Sequence, residues 1–168
     1  DFSFLTYNVS GLPFPFSGAA LPRITNSLEI GSRLNGFDVV NVQEDIAYHP
    51  FLITAAEFPD RTAPSVPTWA WPVGVPFSDG LNSLSSYYLE SLDRQAWTTR
   101  PDLLNPGGFT YTRQHIPGGS SIDVYNVDTS GGSLTNAEIA QLSDFIQQNS
   151  IGRAVIVAGD FGQFYSDP

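Results

Sequence analysis

The run Ala154-Val155-Ile156-Val157-Ala158-Gly159-Asp160-Phe161-Gly162 carries an apolar segment of strand length into a glycine and then a carboxylate. Short apolar runs of this kind suit a strand buried on both faces, and an acid at the C-terminal mouth of such a strand is well placed for chemistry. Two other segments end similarly: Phe2 to Tyr7 leads into Asn8, and Phe37 to Gln43 leads into Glu44. If neighbouring strands present their C-terminal ends together, Asn8, Glu44 and Asp160 converge at one mouth, where oxygen donors favour Mg²⁺ or a similar hard cation. Taken singly, each reads first as a structural strand-end or turn residue, because polar side chains of this type commonly close strands.

The elements that must position these groups follow from the pattern. Phe2 to Asn8 reads as a first strand, broken by Ser10-Gly11-Leu12-Pro13, with a Pro/Gly-rich loop running to about Pro22. Asn26 or Ser27 caps a short helix that turns Leu28, Ile30 and Leu34 inward and stops at Gly36. Phe37 to Glu44 is a second strand, and Pro50 opens a helix packing Phe51, Leu52 and Ile53 before Pro59. Asp60 to Pro76 reads as an ordered loop, because Trp69 and Trp71 suit no disordered tether. Strands follow at Gly80 to Tyr87, Ser91 to Thr98, Gly108 to His115 and Ser121 to Val127, the last two joined by the hairpin Ile116-Pro117-Gly118-Gly119-Ser120. A capping box, Thr135-Asn136-Ala137-Glu138, opens a helix with Ile139, Leu142, Phe145 and Ile146 on one face, which returns through Gly152 to the Ala154 strand.

Composition bounds the rest. A chain of 168 residues fits one domain over 1–168, and 41% hydrophobic residues with 12 Phe and 7 Tyr supply a core and exclude a disordered chain. Seventeen acids face seven cations, all arginine, for a net charge of -10, so there is no basic footprint for long nucleic acids. A bound divalent cation would still allow a phosphate substrate. No run is long and apolar enough for a membrane helix, and without Cys there are no disulfides or thiolate metal sites. Asp1, followed at once by a strand, is expected to be a processed or trimmed N terminus.

Five blocks carry a resemblance. Thr6-Tyr7-Asn8-Val9-Ser10-Gly11-Leu12-Pro13, Val42-Gln43-Glu44, Asp79-Gly80-Leu81-Asn82-Ser83-Leu84-Ser85, Ile122-Asp123-Val124-Tyr125-Asn126-Val127 and Gly159-Asp160 resemble, in order, blocks of the endonuclease/exonuclease/phosphatase superfamily, especially its secreted fungal and bacterial members. The resemblance implies an α/β fold, a four-layer sandwich of two packed mixed β-sheets flanked by helices, and metal-assisted hydrolysis of a phosphoester. It puts Asn8 and Glu44 at the metal and phosphate and makes Asp160 the group that directs the attacking water. Asn126 and Asp79 fall in blocks near the site and are expected to contact substrate. His49, just after Glu44, is a further substrate-contact candidate.

Departures from the pattern bear on activity. Where the family reads N-x-H, this chain has Asn126-Val127-Asp128, so Asp128, a candidate catalytic residue, stands where a phosphate-binding His is expected; where it reads G-D-x-N, Gly162 replaces the Asn. The closing S-D-H block is absent, and the last strands of the fold are expected to be missing with it. Loss of a positioned donor costs roughly two to three orders of magnitude in rate. The resemblance implies an extracellular, Mg²⁺-dependent phosphodiesterase acting on a small phosphoester or phospholipid head group, and these losses imply that its activity is impaired. The alternative is a non-catalytic binding or self-assembling protein on the same fold. Elsewhere, Arg113 beside Tyr111 is expected to form a surface ion pair and His115 to be a polar strand end; Trp69, Trp71 and Trp97 are expected to pack in the core.

Overall fold

The segment Val39-Val40-Asn41-Val42-Gln43 is buried along its whole length, and its alternation decides what lies on either side. Val40 and Val42 join Leu34, Leu52, Ala56 and Leu84 in one apolar cluster. Gln43 points the other way, donating through Nε2 to Asn126 Oδ1 at 2.6 Å across a second sheet. A strand apolar on one side and polar on the other thus has helices against one face and another sheet against the other.

The computed structural model of the chain describes residues 2–13, 20–64, 68–70, 75–99 and 107–162, with side chains described except at 68–70, 75–77 and 92. Its elements are β1 (Phe4–Asn8), α1 (Arg23–Leu34), β2 (Val39–Gln43), α2 (His49–Ala55), β3 (Asp60–Arg61), β4 (Thr68–Ala70), β5 (Val75–Phe77), β6 (Asn82–Ser85), β7 (Tyr88–Ala96), β8 (Gly108–Ile116), β9 (Ser120–Asp128), α3 (Thr135–Asn149) and β10 (Ala154–Asp160). One sheet runs β1-β2-β6-β3 and the other β10-β9-β8-β7, with β4 and β5 forming a separate pair. Each large sheet is mixed, with one parallel pair (β1 with β2, β10 with β9) and antiparallel pairs elsewhere. Helices α1 and α2 cover the first sheet through the Leu34–Leu52 cluster, and α3 covers the second through Trp97, Phe109, Tyr111, Tyr125, Val127 and Leu142. The order of layers is helices, sheet, sheet, helix, as the family resemblance implies.

Several expectations need correction. Helix α1 starts at Arg23, not at an Asn26 or Ser27 cap; the Asn26 amide already donates to Pro22 O at 3.0 Å within the first turn. The Thr135 capping box does not form. A 3₁₀ turn, Gly132–Leu134, leads directly into the helix, Thr135 is itself helical (φ -52°, ψ -40°), and Glu138 accepts instead from the backbone and hydroxyl of Ser130. Ile139 stays exposed at 37%, while Leu142, Phe145 and Ile146 pack. The presumed loop from Asp60 to Pro76 contains β3, β4 and β5, strands of two or three residues that are too short to show a period of two. Strand β7 begins at Tyr88, ahead of Ser91, and is irregular between Ser91 and Asp93. Trp97 lies in the core at 3% exposure, 5.3 Å from the Phe109 ring. Trp71, the Trp69 side chain and the part of the first loop at 14–19 lie outside the described residues.

Candidate active site

Parallel pairing sets the geometry. Because β1 runs with β2 and β10 with β9, four strands deliver their C-terminal ends to one edge of the sandwich. Asn8 closes β1, Glu44 follows β2, and Asp128 and Asp160 close β9 and β10 as register partners. The two sheets meet there through one amide: Asn8 Nδ2 donates to Glu44 Oε1 at 3.0 Å and to Asp160 Oδ2 at 2.9 Å. Its Oδ1 accepts from the Ser10 backbone at 2.8 Å, which fixes the orientation of the side chain. Asp160 Oδ1 accepts from the Gly162 backbone at 2.9 Å.

Asn126 lies one pleat below, fully buried. Its Oδ1 takes the Gln43 bond, and its Nδ2 donates to Val42 O at 2.9 Å and Asn82 O at 3.0 Å, tying β9 to β2 and β6. Gln43 also donates to Thr6 Oγ1 at 3.0 Å, so the floor of the site is one connected polar layer. Asp128 is 8% exposed, and its backbone carbonyl accepts from Trp97 Nε1 at 2.7 Å.

Two sequence candidates are directed elsewhere. Asp79 is held by Arg94, whose Nη1 donates to both carboxylate oxygens at 2.7 and 2.9 Å. His49 is buried, its Nδ1 at 2.5 Å from Asp45 Oδ2. Both side chains thus face into a layer behind Glu44. Asp45, Asn82 and Arg94 escaped the sequence reading. Asp45 lies in the loop before α2, whose first residue is His49, so no helical spacing signalled the pair. Arg113 does find acids, but Asp123, its partner at 2.7 Å, is completely buried, so the expected surface pair is a half-buried one. His115 is a strand-end residue whose ring lies 5.1 Å from that of Tyr88, tilted at 37°.

The chemistry of the donors decides what this edge can hold. Two part-buried carboxylates converge on a neutral amide, and among the described residues no cation forms an ion pair with either. Mg²⁺ is commonly held by one or two carboxylates and completes its shell with water and phosphate oxygens, so Glu44 and Asp160 fit it. No group of three or more His, Cys, Asp or Glu that could hold a metal ion occurs among the described residues.

No family model matches the chain. Sphingomyelinases of Mycobacterium tuberculosis and Mycobacterium bovis are 56% identical over 171 residues, covering 99% of this chain and 35% of each relative. The chain thus spans about a third of the length of these curated relatives. Among solved structures, SmcL superposes with a TM-score of 0.77 at 15% identity, covering 99% of this chain and 65% of that one. Sphingomyelinase C from Streptomyces griseocarneus gives 0.72 at 18% identity, with 99% and 66% covered. An endonuclease/exonuclease/phosphatase from Beutenbergia cavernae gives 0.65 at 13% identity, with 99% and 49% covered. At these identities the structural likeness is one of fold.

Proposed function

The chain belongs to the endonuclease/exonuclease/phosphatase superfamily, and we propose that its Asn8, Glu44 and Asp160 form part of a Mg²⁺-dependent phosphodiesterase site acting on a phospholipid head group of the sphingomyelin type. The observation that carries this reading is the Asn8 amide, which draws one carboxylate from each sheet to the same point, where among the described residues no cation pairs with either. The 56% identity to sphingomyelinases supports the substrate class. In this reading Glu44 and Asp160 would hold the cation, which would supply positive charge against the phosphoryl oxygens. Asp160 orients the attacking water and accepts its proton as the water oxygen bonds to phosphorus and the ester P–O bond breaks; the leaving alkoxide takes up a proton from solvent and Asp160 returns its own. Asn8 keeps the two carboxylates in register. The reading extends to an extracellular setting, where such lipids are met at the outer membrane face.

Hydrolysis of bis-p-nitrophenyl phosphate and of sphingomyelin in mixed micelles, with Mg²⁺ or with chelator, tests it. Asp160→Ala is expected to lower the Mg²⁺-dependent rate by about 100-fold or more. Equal background rates in wild type and variant would sink the enzyme reading. The second reading, a non-catalytic or self-assembling protein on this fold, is favoured by Asp128 and Gly162 standing where the family pattern has His and Asn. Mg²⁺ binding without hydrolysis would select it.

A further inference from the structure

Glu44 has φ +54°, a left-handed conformation that a residue with a side chain adopts at a cost and keeps only when its surroundings over-determine it. Those surroundings are specific. The Glu44 carbonyl accepts from Gly11 N at 2.9 Å and Ile46 N at 3.0 Å, and Asp45 N donates to Gly80 O at 3.0 Å. Gly80 lies against the same backbone; a Cβ there would sit 2.9 Å from Glu44 Cα. Next in the chain, Asp45 is 3% exposed and accepts from His49 Nδ1 at 2.5 Å and Asn82 Nδ2 at 2.9 Å. Asn82 Oδ1 accepts in turn from Arg94 Nη2 at 3.2 Å, and Arg94 is anchored by Asp79 and by the carbonyls of Leu81 and Ala63 at 2.7 Å each.

We infer that Asp45, with His49 and Asn82, is the positioning group that holds Glu44 in its left-handed conformation, through a hydrogen-bonded chain running back to Arg94 and Asp79. None of these side chains bonds the Glu44 carboxylate. They act on its backbone from behind, fixing the residue that follows it while the loops carrying Gly11 and Gly80 hold it from both sides. A buried carboxylate with donors on two sides is costly to leave unpaired, so the chain resists partial loosening. His49 and Asp79, candidates for substrate contact by sequence, thereby gain a role in aiming Glu44.

The inference rests on the proposed metal site for its consequence, but it is tested separately. In Asp45→Ala, amide exchange in the metal-free protein should accelerate about tenfold at Gly11 and Ile46, the two donors to the Glu44 carbonyl, roughly the effect of one lost hydrogen bond to a charged group. Amides of β8 and β9 should keep their rates; a purely global loss of stability would move them together. Calorimetric Mg²⁺ affinity should fall by about 10- to 100-fold, as for groups that orient metal ligands from outside. His49→Ala should act in the same direction, and His49→Asn, whose Nδ2 takes about the place of the Nδ1 that bonds Asp45, should stay near wild type. Unchanged exchange at Gly11 and Ile46 in Asp45→Ala overturns the inference. If Asp45→Ala does not fold, His49→Ala is read by the same criterion. Should the wild type bind no Mg²⁺, the function proposed above fails, while the exchange rates still decide the role of Asp45.

Discussion

Asn8, Glu44 and Asp160 meet because each closes or follows a strand of a parallel pair, a relation that hydrophobic patterning conveys well. The side-chain destinations of His49 and Asp79 were not legible in the same way. They depend on Asp45, buried by its fold, and on Arg94, fifteen residues from Asp79, and neither partner stands out by composition. Gly162 shows a third situation. By sequence it is a missing Asn; in the structure it has φ +56°, and a Cβ there would meet Gly131 Cα at 2.9 Å and Gly131 N at 3.0 Å. Asn tolerates this φ better than most residues, but the backbone contact remains. Gly162→Asn is therefore expected to destabilise the protein by about 1–3 kcal/mol through overpacking, without restoring a phosphate-binding amide. Urea unfolding measures it, and an unchanged midpoint would show that the loop at Gly131 gives way freely.

Between elements, the β8–β9 hairpin shows what was recoverable and what was not. Its turn fixes the pairing Ile116↔Ser120, and counting back along both strands places Arg113 opposite Asp123. The register was thus implicit in the sequence; the depth was not, because Asp123 is completely buried, with Tyr111, Arg113 and Ser150 bonded to its carboxylate. Burial pushes the Asp123 carboxyl up, but hydrogen bonds from Arg113, Ser150 and Tyr111 outweigh it and leave the group below the ordinary Asp value. A folded-state pKa below that of the unfolded chain favours folding above the unfolded value, near 3.9. That contribution fades as pH falls through the lower, folded value. The urea midpoint should accordingly drop on acidification from about pH 5 downward, with a shallower drop in Asp123→Asn. At neutral pH the same variant should lose on the order of 3 kcal/mol, since Arg113 is left facing a neutral group. Parallel pH profiles for wild type and variant would remove Asp123 from the account.

For the whole molecule, the arrangement that gathers the site also puts β1 and β10 at the ends of their described sheets. Among the described residues no strand pairs with the outer side of β1 or β10, and the two lie at the ends of their sheets. Apolar side chains accompany them: Tyr7 is 44% exposed and Val157 38%, the latter in a groove with Ile139, Leu142, Ile146 and Phe161. A strand at the end of a sheet with exposed apolar neighbours can pair with another chain. Opposing this, a net charge of -10 makes copies repel, over a range set by the Debye length of about 10 Å at 0.1 M salt. Attraction at the edges is short-ranged and barely screened, whereas the repulsion is long-ranged and strongly screened, so salt should tip the balance. Sedimentation velocity is expected to show mainly monomer at low ionic strength and heavier species at about 0.5 M NaCl. Val157→Lys separates the two effects. It moves the net charge toward zero, which would promote association if charge alone ruled, but it places an ammonium on the β10 edge and should suppress the heavier species. Heavier species at high salt that are undiminished in Val157→Lys would show that β10 is not where the chains meet.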